Sequence, residues 1–380
     1  MTLTFLRFAW VRPRRILPES TLGLLVLGLL VVTPLSSQER RRPPTVITDT
    51  VRAQELFVSN RWEDHPDANY ERDIEEKRIT DSIFAAVTEG MVDYQKITYR
   101  SRIGDMDIPA YVYQPLEKRG PGGHPAMVWV HGGVHGDWTA APYWPFVKEA
   151  VNRGYVIIAP EYRGSTGYGE EHYKAIDYGG YEVDDVMTAY DWIVDNLPHV
   201  DPDRVGIMGW SHGGFITLHA ITREGHPFQA GVANVPVTNL IFRLSYKGPR
   251  YQRSFSTQQR IQGLPFERPD LYVERSPYYR VDDLQTPLQV SLATNDRDVN
   301  FVEASQLVYK LRDLHPTITD TKIYIDPPGG HSFSRQVNGE TLEREDSPEQ
   351  IDVWNRTWAF FDWYLRPYET EPTPVRHRRR

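Results

Sequence analysis

A chain of 380 residues with 40% hydrophobic and 12% aromatic side chains holds enough apolar material for one large core or two modest ones. Its formal net charge of −8, without a Lys/Arg-rich stripe, excludes an electrostatic footprint for nucleic acid. The absence of cysteine excludes disulfides, thiolate catalysis and Cys-based zinc or iron–sulfur sites.

The N-terminus reads as an export signal. Arg7, Arg12, Arg14 and Arg15 form a basic region, residues 22–32 are an uncharged apolar run, and Pro34, Ser36 and Ser37 supply a breaker and small residues. Residues 1–37 are therefore expected to be a signal peptide, because the apolar run falls short of the roughly twenty residues of a membrane span. The product is expected to be periplasmic or secreted, with an uncleaved N-terminal membrane anchor as the alternative. Residues 38–93 read as a polar, Pro-containing linker followed by short helices. Ile79, Ile83, Phe84 and Val87 recur there at helical spacing and predict an apolar face packed on a larger body.

From Tyr94 the pattern changes. Residues 96–99 and 108–114 flank Gly104-Asp105 and predict a β-hairpin. Short apolar runs at 127–130, 155–159, 204–208, 230–233, 288–293 and 322–325 then read as strands. Helical patterns at 181–196, 213–222, 302–314 and 351–365 alternate with them. Strands that are continuously apolar are buried on both faces, so the expectation is an α/β protein with a mostly parallel central sheet and helices on both faces. Residues 94–368 form this domain, and 369–380, ending in His377 and three arginines, are expected to be a disordered tail. No internal repeat of 20–50 residues supports a propeller or solenoid.

The sharpest chemical signal is Gly209-Trp210-Ser211-His212-Gly213-Gly214, a G-x-S-x-G motif with a strand before it and a helix after it. On so tight a strand-to-helix turn the residues two before and two after the serine, Gly209 and Gly213, have no room for side chains. The turn lifts Ser211 above the sheet edge and aims the first helical amides at it. This context predicts the α/β-hydrolase fold with Ser211 as nucleophile.

A serine hydroxyl needs a base. Beyond the elbow stand His219, His226, His315, His331 and His377. His219 and His226 belong to the following helix, His315 ends a helix beside Pro316, and His377 lies in the tail. His331 alone follows the last strand, in the loop Pro327-Pro328-Gly329-Gly330-His331-Ser332-Phe333, and is the expected base. The acid that orients it is expected to be Asp296, which directly follows the 288–293 strand; Asp298 is the alternative, while Asp282 and Asp283 lie at that strand's wrong end. The two oxyanion donors are expected to be the amides of His212 and Gly133, the latter in His131-Gly132-Gly133 after the 127–130 strand. His131 and His135 are four apart, but glycines intervene and the H-E-x-x-H glutamate is missing, so no metal or other cofactor is expected.

With these residues placed, the chain from Tyr94 to Leu365 resembles the catalytic domain of the prolyl-oligopeptidase family of serine peptidases, nearest its acylaminoacyl- and dipeptidyl-peptidase branches. The matching segments are Trp129-Val-His-Gly-Gly133, Glu161-Tyr-Arg-Gly-Ser-Thr-Gly-Tyr-Gly169, Gly209–Gly214, Asp296-Arg-Asp-Val-Asn-Phe301 and Gly329-Gly-His331. The resemblance implies the same triad and a structural role for the 163–169 stretch. Two departures stand out. Residues 38–93 are too few to hold the N-terminal β-propeller of the large family members, so none is expected in this stretch. After Pro236-Val237, Thr238-Asn-Leu-Ile-Phe-Arg243 replaces the Trp and paired Tyr that line a proline pocket.

The expected function is cleavage of small peptide or acyl-amino-acid bonds through an acyl-enzyme. A carboxylesterase with the same triad is the alternative, and a non-catalytic binding protein is the reading from another class. Small peptides or esters are the expected partners, and the sequence does not specify an oligomeric state. Residues 238–274 are expected to form a lid or pocket wall, with Tyr246, Arg250, Tyr251 and Arg253 as candidate contacts to an aromatic or carboxylate-bearing substrate.

Overall fold

In a computed structural model the described residues are 67–333, 338 and 340–373. The expected signal peptide, residues 38–66 and the last residues of the tail lie outside them. Eight strands share one sheet: β1 (Asp93–Arg100), β2 (Asp107–Gln114), β3 (His124–Val130), β4 (Val156–Pro160), β5 (Val200–Trp210), β6 (Ala230–Asn234), β7 (Leu288–Ala293) and β8 (Thr319–Tyr324). Their spatial order is β1-β2-β4-β3-β5-β6-β7-β8. β2 runs antiparallel to both neighbours and every other pairing is parallel.

The helices are α1 (Tyr70–Thr88), α2 (Ala140–Asn152), α3 (Gly169–Lys174), α4 (Tyr181–Asn196), α5 (His212–Ile221), α6 (Leu240–Tyr246), α7 (Pro249–Ser256), α8 (Pro269–Glu274), α9 (Phe301–Leu314) and α10 (Pro348–Leu365). Among the described residues none is long and apolar enough to cross a membrane. The central strands β3, β4, β6 and β7 are largely apolar and buried along their length because alternate side chains feed two cores. Val128, Val130, Ile158, Val205 and Ile207 pack with α4, α5 and α9 on one face. Met127, Trp129, Ile157 and Met208 pack with α2 and α10 on the other. Because β3 to β8 are parallel, Val130, Trp210, Ala293 and Tyr324 all end at one edge, and the loops that leave them meet there.

Four features differ from the sequence-based expectation. Helix α2 is not among the expected helices: Tyr143, Phe146, Val147 and Ala150 recur at helical spacing and are buried, but Pro142 and Pro145 stand near its start. Pro142 falls in the first turn, where amides have no intrahelical acceptor. Among the described residues the expected short N-terminal helices are one helix, α1, and its inward face is only partly the expected apolar one, Val87 packing against a core beside Phe84. Phe84 is buried, but Ile79 and Ile83 are 53% and 39% exposed, while Asp73 and Lys77 turn inward. The segment 238–274 folds as α6, α7 and α8, and Tyr246 and Tyr251 are buried among other side chains instead of facing a substrate. Arg250 is exposed and pairs with Asp67 at 2.9 Å. Finally, residues 369–373 are held down. The carbonyl of Glu369 accepts from Arg119 and Arg204, both at 3.1 Å, and the Thr373 amide donates to Asp201 at 2.6 Å.

Candidate active site

The elbow between β5 and α5 forces Ser211 to φ +60°, ψ −118°, a left-handed backbone that a residue with a side chain rarely adopts. The surrounding glycines are sterically required. A Cβ on Gly209 would lie 2.1 Å from the Gly213 carbonyl carbon, and one on Gly213 would lie 2.4 Å from the Val130 carbonyl oxygen. The Ser211 amide donates to the Asn234 carbonyl at 2.9 Å, and its carbonyl accepts from Phe215 at 3.0 Å as the first bond of α5. Main-chain bonds on both sides thus hold the serine in place. His212 follows as the first residue of α5, among the amides that the helix itself supplies with no acceptor.

The loops after β7 and β8 press together. Gly329 and Gly330 both have positive φ, and a Cβ on Gly330 would come within 2.8 Å of the Asn295 carbonyl oxygen. That close approach brings the His331 Nδ1 to 2.6 Å from the Asp296 Oδ2. The other oxygen, Oδ1, accepts from the amides of Asp298 at 2.8 Å and Val299 at 2.9 Å. The Asp296 side chain is only 3% exposed and that of His331 17%. A carboxylate only accepts, so Nδ1 carries the proton and Nε2 is left as the basic nitrogen. Asp298, the alternative acid, belongs to the same cluster but lends Asp296 its amide.

Ser211 and this pair are joined through Trp210, whose indole Nε1 donates to the His331 carbonyl at 2.9 Å. The His131-Gly132-Gly133 loop packs on the elbow from the other side. A Cβ on Gly132 would lie 2.9 Å from the Trp210 carbonyl oxygen and 3.6 Å from the Ser211 Cβ. Gly133 has φ +78°, and its carbonyl accepts from the Tyr162 hydroxyl at 2.6 Å.

The stretch 161–169 braces that loop. Ser165 Oγ lies 2.8 Å from His131 Nε2, and Thr166 donates its amide to Gly136 and its hydroxyl to the His135 carbonyl. Arg163 forks onto Asp185 with bonds of 2.8 and 2.7 Å, both side chains being buried. Burial pushes His131 down to about 3 and Glu161, 3.4 Å away, up to about 7. His131 and His135 do not face a common point: His135 Nδ1 lies 2.7 Å from the Gly164 carbonyl oxygen, and its ring stacks on Tyr173. The other described candidates for the base are engaged elsewhere. His219 meets the Arg275 carbonyl, His226 the Thr286 hydroxyl and His315 the Val281 carbonyl.

Trp210 escapes a motif reading because it occupies a variable position of G-x-S-x-G. Its signal is that a large aromatic side chain in such a turn must pack on something.

The sheet order, the strained elbow and the crossing loops define an α/β-hydrolase. Residues 145–365 match the prolyl oligopeptidase family model (Peptidase S9), and the chain belongs to that family. It is 30% identical over 283 residues to the uncharacterized peptidase YuxL of Bacillus subtilis (strain 168), covering 74% of this chain and 41% of that one. It is 31% identical over 226 residues to dipeptidyl aminopeptidase BIII of Pseudoxanthomonas mexicana, covering 57% and 32%. A solved acylaminoacyl peptidase of Pyrococcus horikoshii superposes with a TM-score of 0.59 at 20% identity, over 77% of this chain and 44% of that one. The match spans between about a third and two fifths of these two curated relatives.

Proposed function

We propose that this chain is a serine peptidase that cleaves short, accessible peptide or acyl-amino-acid bonds. His331 Nε2 takes the proton of Ser211 as Oγ attacks the scissile carbonyl. The amides of His212 and Gly133 stabilise the oxyanion, and His331 then protonates the departing amine. Water deprotonated by His331 attacks the acyl-enzyme, releasing the acid and regenerating Ser211. Asp296 fixes the imidazole tautomer throughout. The observation that carries this reading is the 2.6 Å His331–Asp296 contact on the same sheet edge as the strained Ser211 turn. Membership of a peptidase family supports the choice of bond.

The test is a parallel panel of p-nitrophenyl esters and aminoacyl p-nitroanilides on the wild type and Ser211→Ala. Anilide turnover that disappears in the variant is expected. Ester turnover without any anilide turnover would make the chain a carboxylesterase, and activity surviving in Ser211→Ala would overturn the mechanism. From the N-terminal sequence alone we propose also that the protein acts outside the cytoplasm after loss of residues 1–37. N-terminal sequencing of the mature protein checks this, and an intact Met1 on the exported form would favour a retained anchor.

A further inference from the structure

Lys77, in the middle of α1, is 3% exposed, and no helix-propensity or amphipathicity argument accounts for an ammonium there. Its Nζ donates to the Trp138 carbonyl at 2.7 Å, to Asp137 Oδ2 at 3.1 Å and to Glu161 Oε1. Glu161 is fully buried, accepts from the Trp138 amide at 3.0 Å, and lies 3.4 Å from His131 Nε2 through its other oxygen. His131 stacks on Tyr162 at 4.2 Å, and the Tyr162 hydroxyl holds the Gly133 carbonyl. The methylenes of Lys77 fill the space over Gly167, where a Cβ would meet them at 2.7 Å. One ammonium therefore ties the far end of the 131–138 loop, at Asp137 and Trp138, to the carboxylate that backs its near end, at His131.

We propose that Lys77 is a positioning residue that pins the Gly132-Gly133 loop in its oxyanion-binding geometry, making α1 part of the working enzyme although it lies outside the family-matched residues. This rests on the reading of Gly133 as an oxyanion donor. A donor that binds only the developing oxyanion acts on the transition state, so loosening its loop lowers kcat and leaves KM nearly unchanged. A buried ion pair that served only folding would move the melting temperature, with activity following the folded fraction.

The experiment compares the wild type with Lys77→Met, the neutral pair Lys77→Met/Glu161→Gln, and Asp137→Ala. Asp137 is one quarter exposed, so that last variant releases one loop contact without stranding a buried charge. Each is measured for kcat and KM on the p-nitrophenyl ester that the wild type turns over, for its rate of fluorophosphonate labelling at Ser211, and for melting temperature. Lys77→Met is expected to lose at least tenfold in kcat and labelling rate with KM within twofold. The neutral pair is expected to regain the wild-type melting temperature while kcat stays low, and Asp137→Ala to lose severalfold in kcat at unchanged melting temperature. If kcat returns with the melting temperature in the neutral pair, or Asp137→Ala keeps wild-type kcat, the proposal is overturned. Should both Lys77 variants fail to fold, Asp137→Ala decides alone. Failure of the underlying reading looks different: the wild type is not labelled at Ser211, or Ser211→Ala keeps its activity.

Discussion

The indole of Trp210 donates a 2.9 Å hydrogen bond to the main-chain carbonyl of His331, so the residue before the proposed nucleophile holds the loop of the proposed base. The same indole packs edge-on against Phe333 at 5.5 Å, just past that histidine. Trp210→Phe keeps an aromatic ring and removes only the donor. It is expected to cost about 1 kcal/mol of stability, the net value of one such bond. The larger effect is a drop of about tenfold in kcat at near-constant KM, since a base displaced by a fraction of an ångström loses its alignment. Thermal melts and steady-state kinetics on one ester check both numbers.

Asp296 accepts three hydrogen bonds, one from His331 and two from main-chain amides, and the last two hold it in place even when its charge is removed. Asp296→Asn is therefore expected to fold normally. Its amide nitrogen would face Nδ1 as a donor, favouring the wrong tautomer, and kcat should fall by about 10³–10⁴-fold. Asp298→Asn keeps its main-chain amide on Asp296 Oδ1 and is expected to lose less than about tenfold in kcat. Equal losses in the two variants would leave the assignment of the acid unsupported.

Stability should pass through a maximum near pH 6.5. Desolvation holds Glu161 up at about 7, opposed by the Lys77 ammonium, and Glu182 up at about 8, reinforced by the Asp177 carboxylate. Their ordinary values of 4.5 lie below these, so the folded state binds more protons in between, and stability falls as pH rises through that window. Burial holds His131 and His219 down at about 3 and His124 at about 4, against an ordinary 6.5. Here the folded state binds fewer protons, so stability is lost as pH falls below 6.5. Above that pH only the glutamates of this set still titrate. The melting temperature is thus expected to decline from pH 6.5 to 8.5, and Glu182→Gln to flatten that decline. An unchanged slope in Glu182→Gln would show that Glu182 keeps an ordinary carboxylate pKa.

Ser211 and Asp296 are legible in the sequence because each closely follows the apolar end of a strand, β5 and β7, and His331 because it stands in the glycine-rich loop after β8. Strand ends, glycines and chain order confine such residues to few candidates. The two-faced sheet is legible because its central strands β3, β4, β6 and β7 are largely apolar, whereas the edge strands β1 and β8 carry charged residues. What the sequence hides is the polar interior. Lys77 carries no local mark of burial, and its burial depends on partners far away in the chain, Asp137 and Glu161. α1 shows the cost of that blindness: its apolar pattern finds Phe84 and Val87, but it also points to the exposed Ile79 and Ile83 and misses the buried Asp73 and Lys77.

The glycines separate two kinds of constraint that a sequence writes with the same letter. Gly225, after α5, has φ +71° and nothing within 4 Å of where a Cβ would stand. Gly225→Ala therefore meets only backbone strain, about 1 kcal/mol, and activity should be untouched. At Gly209 a Cβ would collide with main-chain atoms of Gly213 that cannot retreat without opening the turn from β5 into α5. Gly209→Ala is expected to cost about 3 kcal/mol or more. Any folded fraction should be inactive, because relieving the clash rotates Ser211 off its +60° φ and away from His331. Denaturant melts and fluorophosphonate labelling of the two variants measure the contrast. Rapid labelling of folded Gly209→Ala would mean that the elbow is not what presents the serine.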